Sequence, residues 1–315
     1  MRRENNISHY SLLFIFRVRY NLVININHAI FWRINLMIDQ IQFTLTVNTG
    51  KWIIAKALSE KKEIKEAISE GRVLLFGGTT VSAISELLTG KPLRISGRIS
   101  KRGTVTAYKK IVEKPHTLMI HKGHCNNIEQ NSNIDNILKE FGHGDYIITG
   151  ANGFDKDGNA LLMSGGYGLG TRRNLLAPIY TEGGKIIITA GLEKLIPGSI
   201  RDVINNTGHN LSSWSMGSSV GVVPIIGEIF TEIEAVHTLT GNNPIAIGRG
   251  GINGAEGSTT FVLKGEKNKL DYFKKIIKWA ANKDISGVRE SFLECTPGVK
   301  ACSRHKACCY KMSNF

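Results

Sequence analysis

Residues Asp145 to Pro197 read DYIITGANGFDKDGNALLMSGGYGLGTRRNLLAPIYTEGGKIIITAGLEKLIP, and this stretch decides the fold. Tyr146-Ile147-Ile148-Thr149 is a short apolar, β-branched run that stops at Gly150. Lys185-Ile186-Ile187-Ile188-Thr189 is a second such run, stopping before Gly191. Both read as buried strands. Between them Thr171 to Thr181 has helical composition and is closed by Gly183-Gly184. Strand, helix, strand at this spacing predicts a βαβ unit with parallel strands. Ligands of open α/β sheets bind beyond the carboxyl ends of the strands. Those ends carry Gly150-Ala151-Asn152-Gly153 and Gly191-Leu192-Glu193-Lys194, and a third loop, Gly165-Gly166-Tyr167-Gly168-Leu169-Gly170, lies between them. Such loops either line a small-molecule site or are tight turns that need positive φ.

Outward from this unit the same alternation continues. Ile41 to Val47 alternates like an edge strand, and Gly50 to Leu58 and Lys62 to Ser69 read as helices. Arg72 to Phe76 is a strand that ends in Gly77-Gly78-Thr79-Thr80, followed by a helix from Val81 to Leu88. A glycine turn with hydroxyls opening a helix can cradle an anion on backbone amides, or the threonines can simply cap the helix. There is no lysine before the threonine pair, so it is not a Walker loop. Further on, strands are expected at Leu93–Ser96, Val105–Tyr108, Thr117–Ile120, Ser218–Ile226, Pro244–Ile247 and Thr259–Leu263. Helices are expected at Ile134–Phe141, Glu228–Leu239 and Leu270–Ala281. The class is α/β with a mainly parallel sheet.

The chain has 315 residues, 42% hydrophobic and 21% charged, enough for a substantial core. Its net charge of +14 is spread over surface helices and not gathered on one face, which argues against a specific nucleic-acid reader. Residues 1–36 differ from the rest: the apolar run Tyr10–Phe16 is broken by Arg17 and Arg19 before it could span a bilayer. This segment is expected to be an over-long translation start or a poorly ordered extension, with an interfacial membrane segment as the competing reading. Residues 37–287 are expected to form the α/β domain and 288–315 a cysteine-rich tail. No secretion signal is evident, so a cytoplasmic location is expected.

Several side chains are candidates for chemistry. Glu256 in the loop Gly254–Ser258, Glu193 beyond the second central strand and Asp155 beyond the first could act as general bases or nucleophiles. Asp155-Lys156-Asp157-Gly158 is equally an ordinary turn, and Glu193-Lys194 an ordinary surface ion pair. Candidates for holding an anionic ligand are Gly77, Gly78, Thr79, Thr80, Gly150, Asn152, Gly165, Gly166, Gly168, Arg172 and Lys194. The last 21 residues hold Cys295, Cys302, Cys308 and Cys309 with His305. These ligand types suit zinc or an iron–sulfur cluster, although the spacing matches no standard site and the adjacent Cys308-Cys309 pair is awkward. Reduced free thiols are the alternative.

Gly77-Gly78-Thr79-Thr80 opening a helix resembles the first phosphate loop of ribose-5-phosphate isomerase A. ITGANGFDKDGNALLMSGGYG is similar in layout to that enzyme's later motifs, a strand ending in Asp-Gly-Ala-Asp-Glu and a lysine-led glycine loop. The resemblance runs from about Phe43 to Leu263. It extends to the superfamily that joins this isomerase with glucosamine-6-phosphate deaminase, CoA transferases and formyltetrahydrofolate cyclo-ligase. It implies a Rossmann-like three-layer fold and a phosphorylated, acyl-CoA or other anionic metabolite as ligand, with a homo-oligomer among the expectations. The isomerase's motif aspartates fall at Thr149 and Asn152 and its loop lysine at Ser164, so isomerase activity itself is not expected. Glu256 is similar in setting to the catalytic glutamate of CoA transferases, with poorly matching flanks. Two classes follow: an enzyme acting on an anionic metabolite, and a non-catalytic sensor or metal-linked accessory protein. Convergence of Glu256, Glu193 and Asp155 on one pocket with Gly77–Thr80 would favour the enzyme.

Overall fold

The computed structural model describes residues 38–106, 114–128, 134–166, 179–294 and Cys302. The central sheet has six strands: β2 (Arg72–Phe76), β5 (Thr117–His121), β6 (His124–Asn127), β7 (Tyr146–Gly150), β10 (Lys185–Thr189) and β12 (Glu228–Phe230). Their order is β12-β10-β7-β2-β5-β6. The first four are parallel neighbours, as the βαβ reading requires. β5 and β6 then continue the sheet antiparallel. Val73 to Phe76, Tyr146 to Ile148 and Ile186 to Ile188 are buried as nearly unbroken apolar runs. That is the pattern of strands covered on both faces.

The expectation of a mainly parallel sheet therefore needs correction. Among the described residues parallel ladders are confined to four strands, and three smaller sheets are antiparallel. β1 (Ile38–Leu45) and β13 (Ile245–Gly250) flank β14 (Ser258–Glu266). β8 (Gly153–Phe154) and β11 (Gly221–Ile225) flank β9 (Ala160–Ser164). β3 (Gly97–Ser100) and β4 (Gly103–Thr106) form a hairpin. The sequence reading placed no strands between the two central runs. The apolar stretch Ala160–Met163 is β9, which pairs with a strand some sixty residues later in the chain, and periodicity within a short window carries no trace of such a partner.

Helix α1 (Val47–Glu60) is the helical centre of the molecule. It is capped by the Thr46 side chain, which accepts from the Thr49 amide at 3.2 Å. Ile53, Ile54, Ala55, Ala57 and Leu58 are fully buried. It packs against α3 (Thr79–Thr89), α6 (Glu232–Thr240) and α7 (Lys267–Ala281). The short helices α2 (Lys62–Ser69), α4 (Ile134–Lys139) and α5 (Ile200–Asn206) complete the set used below. Trp52 of α1 donates its indole N–H to the Asp284 carbonyl at 2.8 Å and meets Trp279 edge-on, which locks α7 down.

Several boundaries differ from the sequence reading. Leu93–Ser96, expected as a strand, has no regular structure, and β3 begins only at Gly97; Val47, expected at the end of the first strand, opens α1 instead. The acidic helix expected from Glu228 begins at Glu232 instead, because Glu228–Phe230 is the edge strand β12. Thr231 and Glu234 form a reciprocal capping box that fixes this start. The stretch Val288–Glu294, expected in the tail, packs on the α/β unit. The Val288 amide donates to Leu93 O at 3.0 Å, and the Arg98 guanidinium donates to the carbonyls of Ser291, Phe292 and Leu293. Among the described residues no helix is long and apolar enough to cross a membrane. The readings of residues 1–36 fall outside the described residues.

Candidate active site

β2 hands on to Gly77, β7 finishes at Gly150, and β10 runs into Ala190-Gly191. Because the three strands are parallel neighbours, these ends lie along one edge of the sheet. A cavity of about 560 Å³ lies there, lined by Gly77, Gly78, Thr79, Gly150, Ala151 and Asn152 from the first two ends and by Glu193 and Lys194 beyond the third. Gly97, Thr104 and Ser218 close it from the side of the small sheets, and Phe292 from the C-terminal stretch.

The turn from β2 into α3 is built on two glycines with different reasons. A Cβ on Gly77 would overlap the His116 ring, so only glycine lets β5 approach this closely. His116 is held in place by its own bonds: Nδ1 donates to Arg94 O at 2.6 Å, and Nε2 lies 3.3 Å from Ser96 Oγ. Gly78 has φ 158° and ψ 156°, a corner of backbone space that glycine visits readily and other residues do not. A Cβ on Gly78 would meet nothing within 4 Å. As N-cap of the eleven-residue α3, Gly78 supplies no side-chain acceptor to the first turn. The positive end of α3 thus stands at the cavity wall with amides available to an anion. Ser218 adds a hydroxyl that is buried, lines the same cavity and has no hydrogen-bond partner among the described residues.

A cluster of four ionisable groups adjoins the same cavity, three of them lining it. Glu232, the first residue of α6, is 4% exposed. Its Oε2 accepts from the Leu192 amide at 2.8 Å, so it holds the 3₁₀ turn Leu192–Lys194 that presents Glu193 and Lys194 to the cavity. Two glycines make room for it. A Cβ on Gly50 of α1 would overlap Glu232 Oε1, and one on Gly191 would lie 2.9 Å from the same atom. Next to Gly50 stands Lys51, which also lines the cavity. Lys51 and Lys194 feel Glu193 and Glu232 through charge alone, without a hydrogen bond.

Burial dominates the protonation of this cluster. It lowers the Lys51 amine from 10.5 to about 8, with Lys194 pushing the same way and the two glutamates opposing. Burial lowers Lys194 too, against the same glutamates. It raises the Glu232 carboxyl from 4.5 to about 7, with the Glu193 charge adding to the rise and the Leu192 amide and Lys194 opposing. Lys51, an amine that titrates near neutrality, lines the cavity and can exchange protons with a bound molecule, whereas Glu232 does not line it and acts through the turn that carries Glu193 and Lys194.

The structure brings together eight of the residues expected from sequence: Gly77, Gly78, Thr79, Gly150, Asn152, Gly165, Glu193 and Lys194 all line the cavity. Four others stand elsewhere. Asp155 is 3% exposed and accepts from the amides of Asp157, Asn159 and Ile200, which fixes its turn and the start of α5. Burial pushes its carboxyl upward, but the hydrogen bonds from Ile200 and Asn159 outweigh that and hold it below the usual carboxylate range. It is a structural group, as the turn reading had it. Glu256 is exposed and accepts from the Gly254 amide at 2.9 Å within its own loop. Thr80 is buried in the first turn of α3, and Gly166 is exposed at the end of β9. Of the three carboxylates expected to converge, only Glu193 reaches the cavity.

Gly168, Arg172, Cys295, His305, Cys308 and Cys309 lie outside the described residues. Cys302 is half-buried, and among the described residues no group of three or more His, Cys, Asp or Glu is arranged to hold a metal ion. Lys51, Glu232, Ser218 and His116 escaped the sequence reading. Two signals pointed to the first pair. Gly50 inside a helix is costly unless something presses on it. Thr231-x-x-Glu234 marks a helix start that puts Glu232 in the first turn and not on a solvent face. Comparison with protein-family models, with curated proteins and with solved structures found no match.

Proposed function

We propose that this protein is an enzyme acting on a small anionic metabolite, with the phosphate or carboxylate of the ligand held at the Gly77–Thr79 turn. Supporting this is one observation above the rest: an open helix N-terminus lines the same cavity as Lys51, Glu193 and Lys194, and Glu232 holds the turn that carries the last two. The helix end would bind charge and those three side chains would move protons. The position beyond the carboxyl ends of β2, β7 and β10 is where open α/β sheets take their ligands. The cluster favours an enzyme over a passive sensor, because drawing one buried and three half-buried ionisable groups together is costly and binding alone needs no amine tuned toward neutrality.

A Rossmann-like three-layer arrangement and kinship with the ribose-5-phosphate isomerase and CoA-transferase superfamily remain part of the proposal. The parallel strands β12-β10-β7-β2 and the glycine turn before α3 support it. Isomerase chemistry of that family is not part of it. Thr149, at the position of one motif aspartate, is buried and spends its hydroxyl on the Gly150 carbonyl at 3.2 Å. The acid–base groups at the cavity are Glu193, Lys51 and Lys194, with Glu232 setting their charge environment.

The test is thermal stabilisation by ribose 5-phosphate, inorganic phosphate and acetyl-CoA, in the wild type and in Gly78→Val. At least one anion should raise Tm of the wild type and leave Gly78→Val unmoved while its circular dichroism stays native. Equal stabilisation of both proteins, or of neither, counts against the site.

A further inference from the structure

The lysine of α1 occupies a setting that binding alone does not explain. Lys51 lines the cavity and has no hydrogen-bonded carboxylate partner; Glu193 and Glu232 reach it only through charge. Its backbone neighbour Gly50 is the residue against which Glu232 Oε1 lies, so a carboxyl group stands close to the base of the same helical turn. The same cavity is lined by the start of α3 and by Ser218, 3% exposed, whose hydroxyl has no hydrogen-bond partner among the described residues. A ligand whose anionic group binds at Gly78-Thr79 would extend toward Lys51.

We propose that Lys51 is a nucleophile that forms an imine with an aldehyde or ketone carrying a phosphate or carboxylate. This rests on the reading of the cavity as an anionic-metabolite site and adds the carbonyl as the reacting group. The free amine's lone pair attacks the carbonyl carbon, the C=O π electrons move to oxygen, and a proton passes from the attacking nitrogen to that oxygen through the Glu193 side chain at the cavity wall. The carbinolamine hydroxyl takes a second proton from solvent and leaves as water while the nitrogen lone pair closes the C=N bond, which leaves a protonated imine. No oxidant or reductant is involved, and hydrolysis reverses each step. The protonated imine draws electrons from the neighbouring carbon, whose proton Glu193, the glutamate that lines the cavity, can remove. The charge environment fits: at neutral pH an amine titrating near 8 has about 300-fold more free base than an ordinary lysine. Lys194 is the rival amine. It stands on the 3₁₀ turn that Glu232 holds, whereas Lys51 stands on the buried helix α1.

The experiment uses the full chain with glycolaldehyde phosphate and sodium cyanoborohydride near neutral pH, followed by peptide mass spectrometry that reports a rate for each lysine. Lys51 should be alkylated on the order of tenfold faster than surface lysines such as Lys62 or Lys156, with a rate that saturates and that inorganic phosphate suppresses. Lys51→Arg should lose the fast phase. If inorganic phosphate raises Tm but Lys51 reacts no faster than the surface lysines, the imine is wrong while the anion site stands. Fast labelling of Lys194 in place of Lys51 also overturns the assignment. If phosphate neither stabilises the protein nor protects any lysine, and Lys51 is unreactive, both readings fail.

Discussion

Replacing Glu232 by glutamine should make the protein more stable above neutrality and leave it nearly unchanged in mild acid. In the folded state the carboxyl titrates at about 7, against 4.5 in an open chain. The folded protein therefore binds the proton more tightly, and stability falls as pH rises from about 4.5 through about 7. That gap corresponds to about 3 kcal/mol, present as a cost once Glu232 is ionised. Glutamine is nearly isosteric with the protonated acid, and its carbonyl oxygen can accept from the Leu192 amide as Glu232 does at 2.8 Å. Urea unfolding at about pH 5 should then give wild type and Glu232→Gln equal stability within roughly 0.5 kcal/mol. At about pH 8.5 the variant should be more stable by about 3 kcal/mol, with m unchanged. A variant no more stable than wild type at the higher pH would mean that Glu232 is ionised at little cost, and its part in setting the protonation of the cluster would lose its basis.

Three further outcomes follow from the same geometry. Lys51→Met should flatten the opposite limb: the folded amine titrates at about 8 and the open-chain amine at 10.5, so wild-type stability rises between those values and the variant's should not, measured by urea unfolding across that window. Gly77→Ala should lower stability by about 1–3 kcal/mol through overlap with the His116 ring, read as a fall in Tm, and an unchanged Tm would show that β5 gives way freely. Asp155→Ala should cost roughly 3 kcal/mol by stranding the amides of Asp157, Asn159 and Ile200, yet leave phosphate-induced stabilisation intact; loss of that stabilisation at full stability would restore Asp155 to the site.

The parts of the fold legible in sequence are those whose signal is local. Arg72–Phe76, Lys62–Ser69 and the two central runs were readable because an apolar run bounded by glycine, or a helical period, lies wholly inside a short window. The glycine turn at Gly77–Thr80 was readable for the same reason. What escaped depends on partners far along the chain. β9 is a strand because β11 lies beside it. Glu228–Phe230 is a strand because it pairs with β10, which no acidic helix pattern reveals. The site divides likewise. Glu193 and Lys194 announced themselves by following a strand end, whereas Lys51 and Glu232 come from helices α1 and α6, and only the packing of α1 against α6 brings them to the same edge. Asp155 and Glu256 sat in loops with suitable sequence, but their carboxylates are consumed by the amides of their own turns.

The central claim is that an anion binds where β2, β7 and β10 end. Hydrogen exchange with and without inorganic phosphate, resolved to short peptides, tests it most directly. Slower exchange confined to Gly77–Val81, Gly150–Asn152 and Gly191–Lys194 is the predicted result. Protection confined to other segments, or none at saturating phosphate, would contradict it.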